Sequence, residues 1–167
     1  MLTVYSVPNF SQHKEKLLEL IYRIPETPYE KISHTDWDIP RAMKRDYVYY
    51  FANNIYKGYY ENLCKTNQFK QVDSSNVWFQ VYREGDHHPM HTHPKSHFTN
   101  VFYVKLPNND LKTKIRKPKD GFIQEEFKEG DIITFPAYYE HSSPINNNKE
   151  EKVVISFNIN ILSYANI

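Results

Sequence analysis

The sequence has little cysteine and little glycine. Cys64 is the one cysteine, so the chain cannot form an internal disulfide, which fits a reducing compartment and predicts a cytoplasmic protein. Four glycines stand against 14 tyrosines and 10 phenylalanines. Because aromatic side chains favour strands, this composition predicts a β-rich protein.

Long apolar runs and a large charge excess are also missing. No apolar stretch is long enough to span a bilayer, and residues 1–8 lack the basic start and apolar stretch of a signal peptide. The net charge is +1, so no overall field attracts nucleic acid or a membrane surface. The densest basic run, residues 112–119, is interpreted as a solvated loop.

A length of 167 residues indicates a single domain over residues 1–167. Its first part, about residues 1–66, has helical periodicity. Apolar residues from Leu17 to Tyr22 recur at helical spacing behind Ser11, which can cap that helix. A second helix is predicted from about Arg41 to Lys65.

From Asn76 onward the pattern changes to the period of two that is typical of strands. Strands are predicted from Asn76 to Tyr82 and over residues 98–106, 131–135 and 152–162, with turn signals between them. We therefore expect a mainly β fold with N-terminal helices, whose sandwich or barrel core covers about residues 76–162.

Five of the eight histidines lie between residues 87 and 97. His91 and His93 are two residues apart, a spacing that on a strand places both rings on one face, and neutral imidazole is the commonest metal ligand. A third ligand has to come from a neighbouring strand, and His141 is the histidine of the later β region. The sequence therefore predicts one transition-metal site at these three residues, open to Fe(II), Zn, Ni or Cu.

The alternative is that these are ordinary surface histidines. The clustering of five histidines in eleven residues argues against it. Within the cluster, His87, His88 and His97 are interpreted as residues that support the site or face a substrate, not as metal ligands.

The last predicted strand has two unlike faces. Val153, Ile155, Phe157, Ile159 and Ile161 form an apolar face that should pack on the core. The opposite face begins with Lys152 and continues with small and polar residues. Two interpretations remain open: this face lines a wet cavity, or it is the solvent side of an edge strand.

Two blocks carry a resemblance to a known family. The first is residues 80–85, ending in Gly85, followed six residues later by His91-Thr92-His93-Pro94. The second runs from Gly130 to Pro136, continues with His141-Ser142-Ser143-Pro144, and ends with residues 152–158. In order and spacing they resemble the Fe(II)/2-oxoglutarate dioxygenases, especially the prolyl-hydroxylase-like branch and the small oxygenases of bacteria and phages.

The resemblance implies a double-stranded β-helix, which is a jelly-roll, cupin-like barrel. It implies an oxidoreductase that uses Fe(II), 2-oxoglutarate as co-substrate and dioxygen to hydroxylate a C–H bond. His91 and His141 match the two histidine ligands, and Lys152 stands where a basic residue holds the far carboxylate of 2-oxoglutarate.

The resemblance implies less direct roles for three further residues. Ser156 and Tyr82 match positions that line the 2-oxoglutarate pocket. His88 stands where the prolyl branch often has a pocket tyrosine, which implies a contact with the co-substrate.

The sequence departs from the family at two positions. His93 takes the place of the usual acidic ligand, so the site has one negative charge fewer. Val154 stands where the family commonly has a serine two residues after the basic residue, and Ser156 points the same way one pleat further on.

Two other functions stay open. Gly85, His91, His93, Gly130, Pro136 and His141 also resemble the two cupin blocks, with His97 where cupins often have a glutamate. A cupin-type three-histidine metalloenzyme would not use 2-oxoglutarate and would not need Lys152. The third class is a metal-binding module without catalytic activity.

The sequence does not name the substrate, which can be a small molecule or a peptide. Trp37, Tyr138 and Tyr139 are candidates for the pocket rim, with simple packing favoured for Trp37. The oligomeric state stays open, and a homodimer through the N-terminal helices is compatible with the sequence.

Overall fold

The computed structural model describes residues 2–26, 32–40 and 42–165. Its elements follow in the order β1 (Thr3–Ser6), α1 (Ser11–Tyr22), β2 (His34–Thr35), α2 (Asp46–Phe51), a π-helical segment (Ala52–Tyr56), α3 (Lys57–Asn67), β3 (Phe69–Tyr82), β4 (His88–His91), β5 (Phe98–Lys105), a 3-10 turn (Asn109–Leu111), β6 (Lys114–Lys117), β7 (Gly121–Phe122), β8 (Asp131–Pro136), β9 (Glu140–Ser143) and β10 (Lys152–Tyr164).

The strands form two antiparallel sheets. The larger has the order β1-β8-β5-β10-β3-β2 and the smaller has the order β4-β9-β6-β7. Side chains of both sheets meet in one apolar cluster, where Tyr103 and Phe135 of the larger sheet pack with Ile115 of the smaller. The predicted mainly β fold with N-terminal helices is confirmed, although the two sheets stay separate and do not close into a barrel.

The helices cover the outer face of the larger sheet. Leu17, Leu18, Leu20 and Ile21 are the buried positions of α1, and they belong to the same apolar cluster as Ile155 and Phe157 of β10. Ser11 is not the predicted cap, because the helix begins at Ser11 itself. Its N-cap position is Phe10, whose backbone is helical and which makes no side-chain cap.

The second predicted helix is present with shifted ends. α2, the π-helical segment and α3 follow one another without a break from Asp46 to Asn67, whereas Arg41 lies outside the described residues. Gln68 ends α3 in the left-handed conformation, with φ of 56°. β3 then starts at Phe69, well before the predicted start at Asn76.

β10 lies between β5 and β3 in the middle of the larger sheet. Its apolar face packs in the cluster beneath the helices, as predicted. On the other face Lys152, Val154, Ser156 and Asn158 are all at most 4% exposed. The edge-strand interpretation of this face is therefore wrong, because strands cover β10 on both sides.

The basic run of residues 112–119 is not simply a solvated loop. Lys114–Lys117 form β6, which pairs with β9. Thr113 and Ile115 point inward and are buried, while Lys114 and Arg116 are exposed. In the described residues no helix is long and apolar enough to cross a membrane.

Candidate metal centre

Pairing of two short strands brings His91 and His141 together. In the ladder between β4 and β9, His91 lies opposite His141. His93 follows two residues after β4, where its backbone N–H donates to the carbonyl of Ala137 at 2.9 Å. One ring nitrogen of each histidine lies within 4.8 Å of the others, and the predicted trio is thus assembled.

Two of the rings are oriented by backbone carbonyls. The Nδ1 atom of His91 lies 2.9 Å from the carbonyl of Pro89, and that of His141 lies 3.1 Å from the carbonyl of Tyr139. A carbonyl oxygen only accepts, so Nδ1 donates in both rings and Nε2 keeps its lone pair. This is the arrangement in which a histidine binds a metal through Nε2.

Burial keeps the three rings neutral. Burial is the largest cause that lowers the pKa of each ring. The pKa of His91 is lowered, that of His93 falls to about 4, and that of His141 falls to about 3. The neighbouring imidazoles lower all three pKa values further, because a second positive charge nearby is unfavourable. At neutral pH the trio therefore presents uncharged imidazole, the form that coordinates metal ions.

The three rings open into a cavity of about 370 Å³ between the two sheets. Besides the trio it is lined by Ile32, Ser33, Thr35, Trp37, Trp78, Gln80, Tyr82, His88, Thr92, Thr99, Val101, Thr113, Ser142, Ser143, Lys152, Val154 and Ser156. The polar face of β10 therefore lines a cavity, which is one of the two interpretations left open by its sequence.

Lys152 is the cation of this cavity. Its side chain is almost completely buried, and its Nζ donates to the Ser143 hydroxyl at 2.9 Å. The Nζ atom also lies 5.0 Å from the ring centre of Tyr82, and no carboxylate of the described residues forms an ion pair with it. Burial lowers the pKa of Lys152 to about 7.

The remaining predicted pocket residues are placed as follows. Tyr82, His88 and Ser156 line the cavity, and the ring centre of His88 lies 4.0 Å from that of His91. His87 is exposed and does not line it. His97 is also outside, because its Nδ1 accepts the backbone N–H of Ile161 at 3.0 Å.

The rim of the cavity differs from the prediction. Trp37, for which simple packing was favoured, lines the cavity, is 53% exposed and lies edge-on against Trp78. Tyr138 lies in a separate shallow cleft with Arg116, and Tyr139 is buried in an apolar cluster.

Sequence reasoning missed several lining residues. Trp78 and Gln80 share the cavity face of β3 with Tyr82, and the ring of Trp78 lies 5.7 Å from that of His93. The alternation of β3 could have indicated them, since every second residue faces one side. Thr113 had no such signal, because it precedes a short strand inside a basic run.

The comparisons with known proteins fit this geometry. Residues 76–127, about a third of the chain, match the family model described as "Putative 2OG-Fe(II) oxygenase". The matched segment contains His91 and His93, whereas His141 and Lys152 lie beyond it. No curated protein sequence matches the chain.

Solved structures match nearly the whole chain. An oxidoreductase of the 2OG-Fe(II) oxygenase family from Burkholderia pseudomallei has a TM-score of 0.72 at 10% identity, covering 99% of this chain and 86% of that one. HygX from Streptomyces hygroscopicus, with nickel and 2-oxoglutarate bound, has a TM-score of 0.72 at 7% identity, covering 98% of this chain and 84% of HygX. The collagen prolyl hydroxylase vCPH of Paramecium bursaria Chlorella virus-1 has a TM-score of 0.60 at 14% identity, covering 97% of this chain and 96% of vCPH.

At these identities the structural matches establish the fold. The resemblance drawn from the sequence is thus confirmed: residues 76–127 match the 2OG-Fe(II) oxygenases, and the chain has the double-stranded β-helix of these Fe(II)- and 2-oxoglutarate-dependent enzymes.

Proposed function

We propose that this protein is an Fe(II)- and 2-oxoglutarate-dependent dioxygenase that hydroxylates a C–H bond of a peptide or small molecule. The observation that carries the proposal is one cavity that contains both three converging imidazoles and a buried, unpaired cation.

The donor set fits Fe(II). Three neutral imidazoles suit borderline divalent metals, and His91, His93 and His141 offer nitrogens close enough to share one ion. When bound, Fe(II) with 2-oxoglutarate and dioxygen supplies the oxidising chemistry. The protein has to hold the target C–H bond beside the ion and exclude water from it.

Lys152 fits the far carboxylate of 2-oxoglutarate. A buried ammonium without an anionic partner is unfavourable, and a carboxylate at its Nζ would relieve that cost. The Ser143 hydroxyl already accepts a hydrogen bond from this Nζ, and Ser143 follows His141 by two residues on β9. The anchor and the metal site are therefore joined by one short strand, which suits a small chelating dianion that spans the two.

We assign the co-substrate pocket and the substrate entrance to different residues of the cavity lining. Tyr82, His88 and Ser156 would line the former, as the resemblance implies. Trp37 and Trp78 form an aromatic corner at the mouth, where a substrate would enter. The viral relative acts on collagen prolines by its name, which supports a peptide or small-molecule substrate here without naming it.

The test is anaerobic titration of the protein with Fe(II) and then with 2-oxoglutarate. We expect one Fe(II) per chain, followed by a weak visible charge-transfer band as 2-oxoglutarate chelates it. His91→Ala should abolish iron binding, while His87→Ala is the matched control, since His87 is exposed and outside the cavity. Iron binding that survives His91→Ala would contradict the proposal.

The cupin-type alternative is favoured by the three-histidine set, which lacks a carboxylate. It predicts iron binding without a charge-transfer band and without calorimetric binding of 2-oxoglutarate. A module without activity would bind metal yet consume no oxygen with any substrate. The cytoplasmic location and the homodimer remain predictions from the sequence, as does the lack of a nucleic-acid partner.

A further inference from the structure

His93 is held differently from the other two histidines of the triad. The Nδ1 atoms of His91 and His141 face backbone carbonyls, which fix them as donors. The Nδ1 atom of His93 instead lies 3.4 Å from the side-chain amide of Asn158. The orientation of this ring therefore depends on a side chain that can present either a donor or an acceptor.

Asn158 is itself held by Thr99. The two residues lie opposite each other on β10 and β5, and both are buried. The Thr99 hydroxyl lies 3.1 Å from Oδ1 of Asn158. The amide therefore lies between one hydroxyl and one imidazole, and rotation about the Cβ–Cγ bond would exchange the positions of its oxygen and nitrogen.

The two orientations have opposite consequences for His93. With the amide nitrogen toward the ring, as in the structure, Nδ1 accepts and the ring proton sits on Nε2. That tautomer offers no Nε2 lone pair to a metal. With the amide rotated, Oδ1 accepts the Nδ1 proton and Nε2 is free to coordinate.

Thr99 allows the rotation without loss of a hydrogen bond. Its hydroxyl donates to Oδ1 in one orientation and accepts from Nδ2 in the other, because a hydroxyl does both. We propose that Asn158, backed by Thr99, is a positioning residue that turns its oxygen to His93 and fixes the tautomer that binds the metal through Nε2. This rests on the proposed metal site and assigns the group that allows a histidine where the family has a carboxylate.

The test measures Zn(II) affinity by competition with a chelator, together with long-range 1H–15N spectra of the histidine rings in the Zn(II)-loaded protein. Asn158→Leu keeps the size but removes the acceptor, and we expect about 10- to 100-fold weaker Zn(II) binding. Asn158→Asp restores an acceptor and should bind at least as tightly as the wild type. Asn160→Leu, two residues further along β10, is the matched control and should leave affinity unchanged.

The spectra distinguish positioning from a general structural role. In the wild type and in Asn158→Asp, His93 should coordinate through Nε2 and show an Nδ1 proton protected from exchange with water. In Asn158→Leu the Nδ1 proton of His93 should lose this protection, while the Nδ1 protons of His91 and His141 stay protected. Coordination of His93 through Nδ1, or Zn(II) affinity in Asn158→Leu within twofold of the wild type, would overturn the inference.

The outcomes also separate this inference from the proposed function. A wild-type protein that binds no metal, or one that binds it equally well after His91→Ala, overturns both. Tight wild-type binding that depends on His91 but not on Asn158 overturns the positioning role alone. Weak binding in both Asn158→Leu and Asn158→Asp also overturns it, because the acceptor would then not be what matters.

Discussion

Raising the pH should weaken 2-oxoglutarate binding to the Fe(II)-loaded protein, because Lys152 loses its proton in the neutral to alkaline range. Burial without an ion-pair partner lowers the pKa of this lysine to about 7. A carboxylate bound at its Nζ stabilises the charged form and raises the pKa in the complex. Binding at alkaline pH therefore has to be accompanied by uptake of a proton.

The size of the effect follows from that linkage. In the free protein Lys152 is half protonated near its pKa, and each pH unit above it reduces the charged fraction tenfold, or about 1.4 kcal/mol. Between about pH 7 and about pH 9 the dissociation constant should rise by about 50-fold. The triad does not contribute, because the pKa values of its three rings are all lowered from the ordinary histidine value.

Calorimetry in two buffers with different ionisation enthalpies measures both the affinity and the number of protons taken up. The proton number should rise from near zero below the lysine pKa toward one above it. Lys152→Met is the control: it should bind more weakly by about 2–5 kcal/mol and with no pH dependence over the same range. Equal wild-type affinity at both ends of the range, or the same slope in Lys152→Met, would refute the assignment of Lys152 as the anchor.

Three further substitutions test the fold that supports the site. Phe157→Ala should lower the free energy of unfolding by about 3–5 kcal/mol in urea denaturation, because Phe157 is fully buried beneath the helices; a loss under about 1 kcal/mol would contradict its core position. Gly130→Ala should lower the melting temperature, because Gly130 has φ of 88° and a Cβ there would lie 2.8 Å from the Phe10 ring; an unchanged melting temperature would argue against that contact. Asp36→Asn should destabilise by about 3–5 kcal/mol, since the fully buried carboxylate forms an ion pair with Arg45 and accepts from Tyr47 and from the backbone N–H of Phe79. Hydrogen exchange at that amide would show whether the bond is lost.

The strands of six or more residues were accessible from the sequence, and the shorter ones were not. β5 and β10 are long, rich in aromatic and β-branched residues and bounded by turn residues, so their predicted ends agree closely with the structure. β4 and β9 have four residues each, and their existence depends on pairing with each other. Too few residues repeat in such strands for a period of two to be detected.

The early start of β3 was hidden by irregular pairing. Its first half pairs with the end of β10 through several register shifts after Asn158. Each shift moves the following side chains to the other face, so the alternation that predicts a strand is interrupted. The pattern becomes regular only near Asn76, which is where the sequence indicated that the strand begins.

The three converging histidines could be predicted as candidate metal ligands, because their chemistry and spacing are both informative. Two histidines at alternate positions predict a shared face, and one histidine in the later β region completes the set. Asn158 was recognised only as part of a polar strand face. Its contact with His93 joins residues 65 positions apart, and a single sequence has no signal for such a pair.

Two unusual features of the cavity, His93 in place of an acidic residue and the buried Lys152, both make its charge more positive. A family member with an acidic ligand would place one negative charge beside the iron, whereas an iron bound at the proposed site by His93 would have no negative charge from the protein beside it. Lys152 adds a further buried positive charge, without a carboxylate partner among the described residues. In a medium of low dielectric constant, uncompensated charges of one sign attract an opposite charge strongly. The dianion 2-oxoglutarate matches this demand at both ends, since one carboxylate can chelate the iron while the other meets Lys152. The loss of the acidic ligand therefore strengthens the case for an anionic co-substrate in this cavity, even though it removes a residue that is usual in the family.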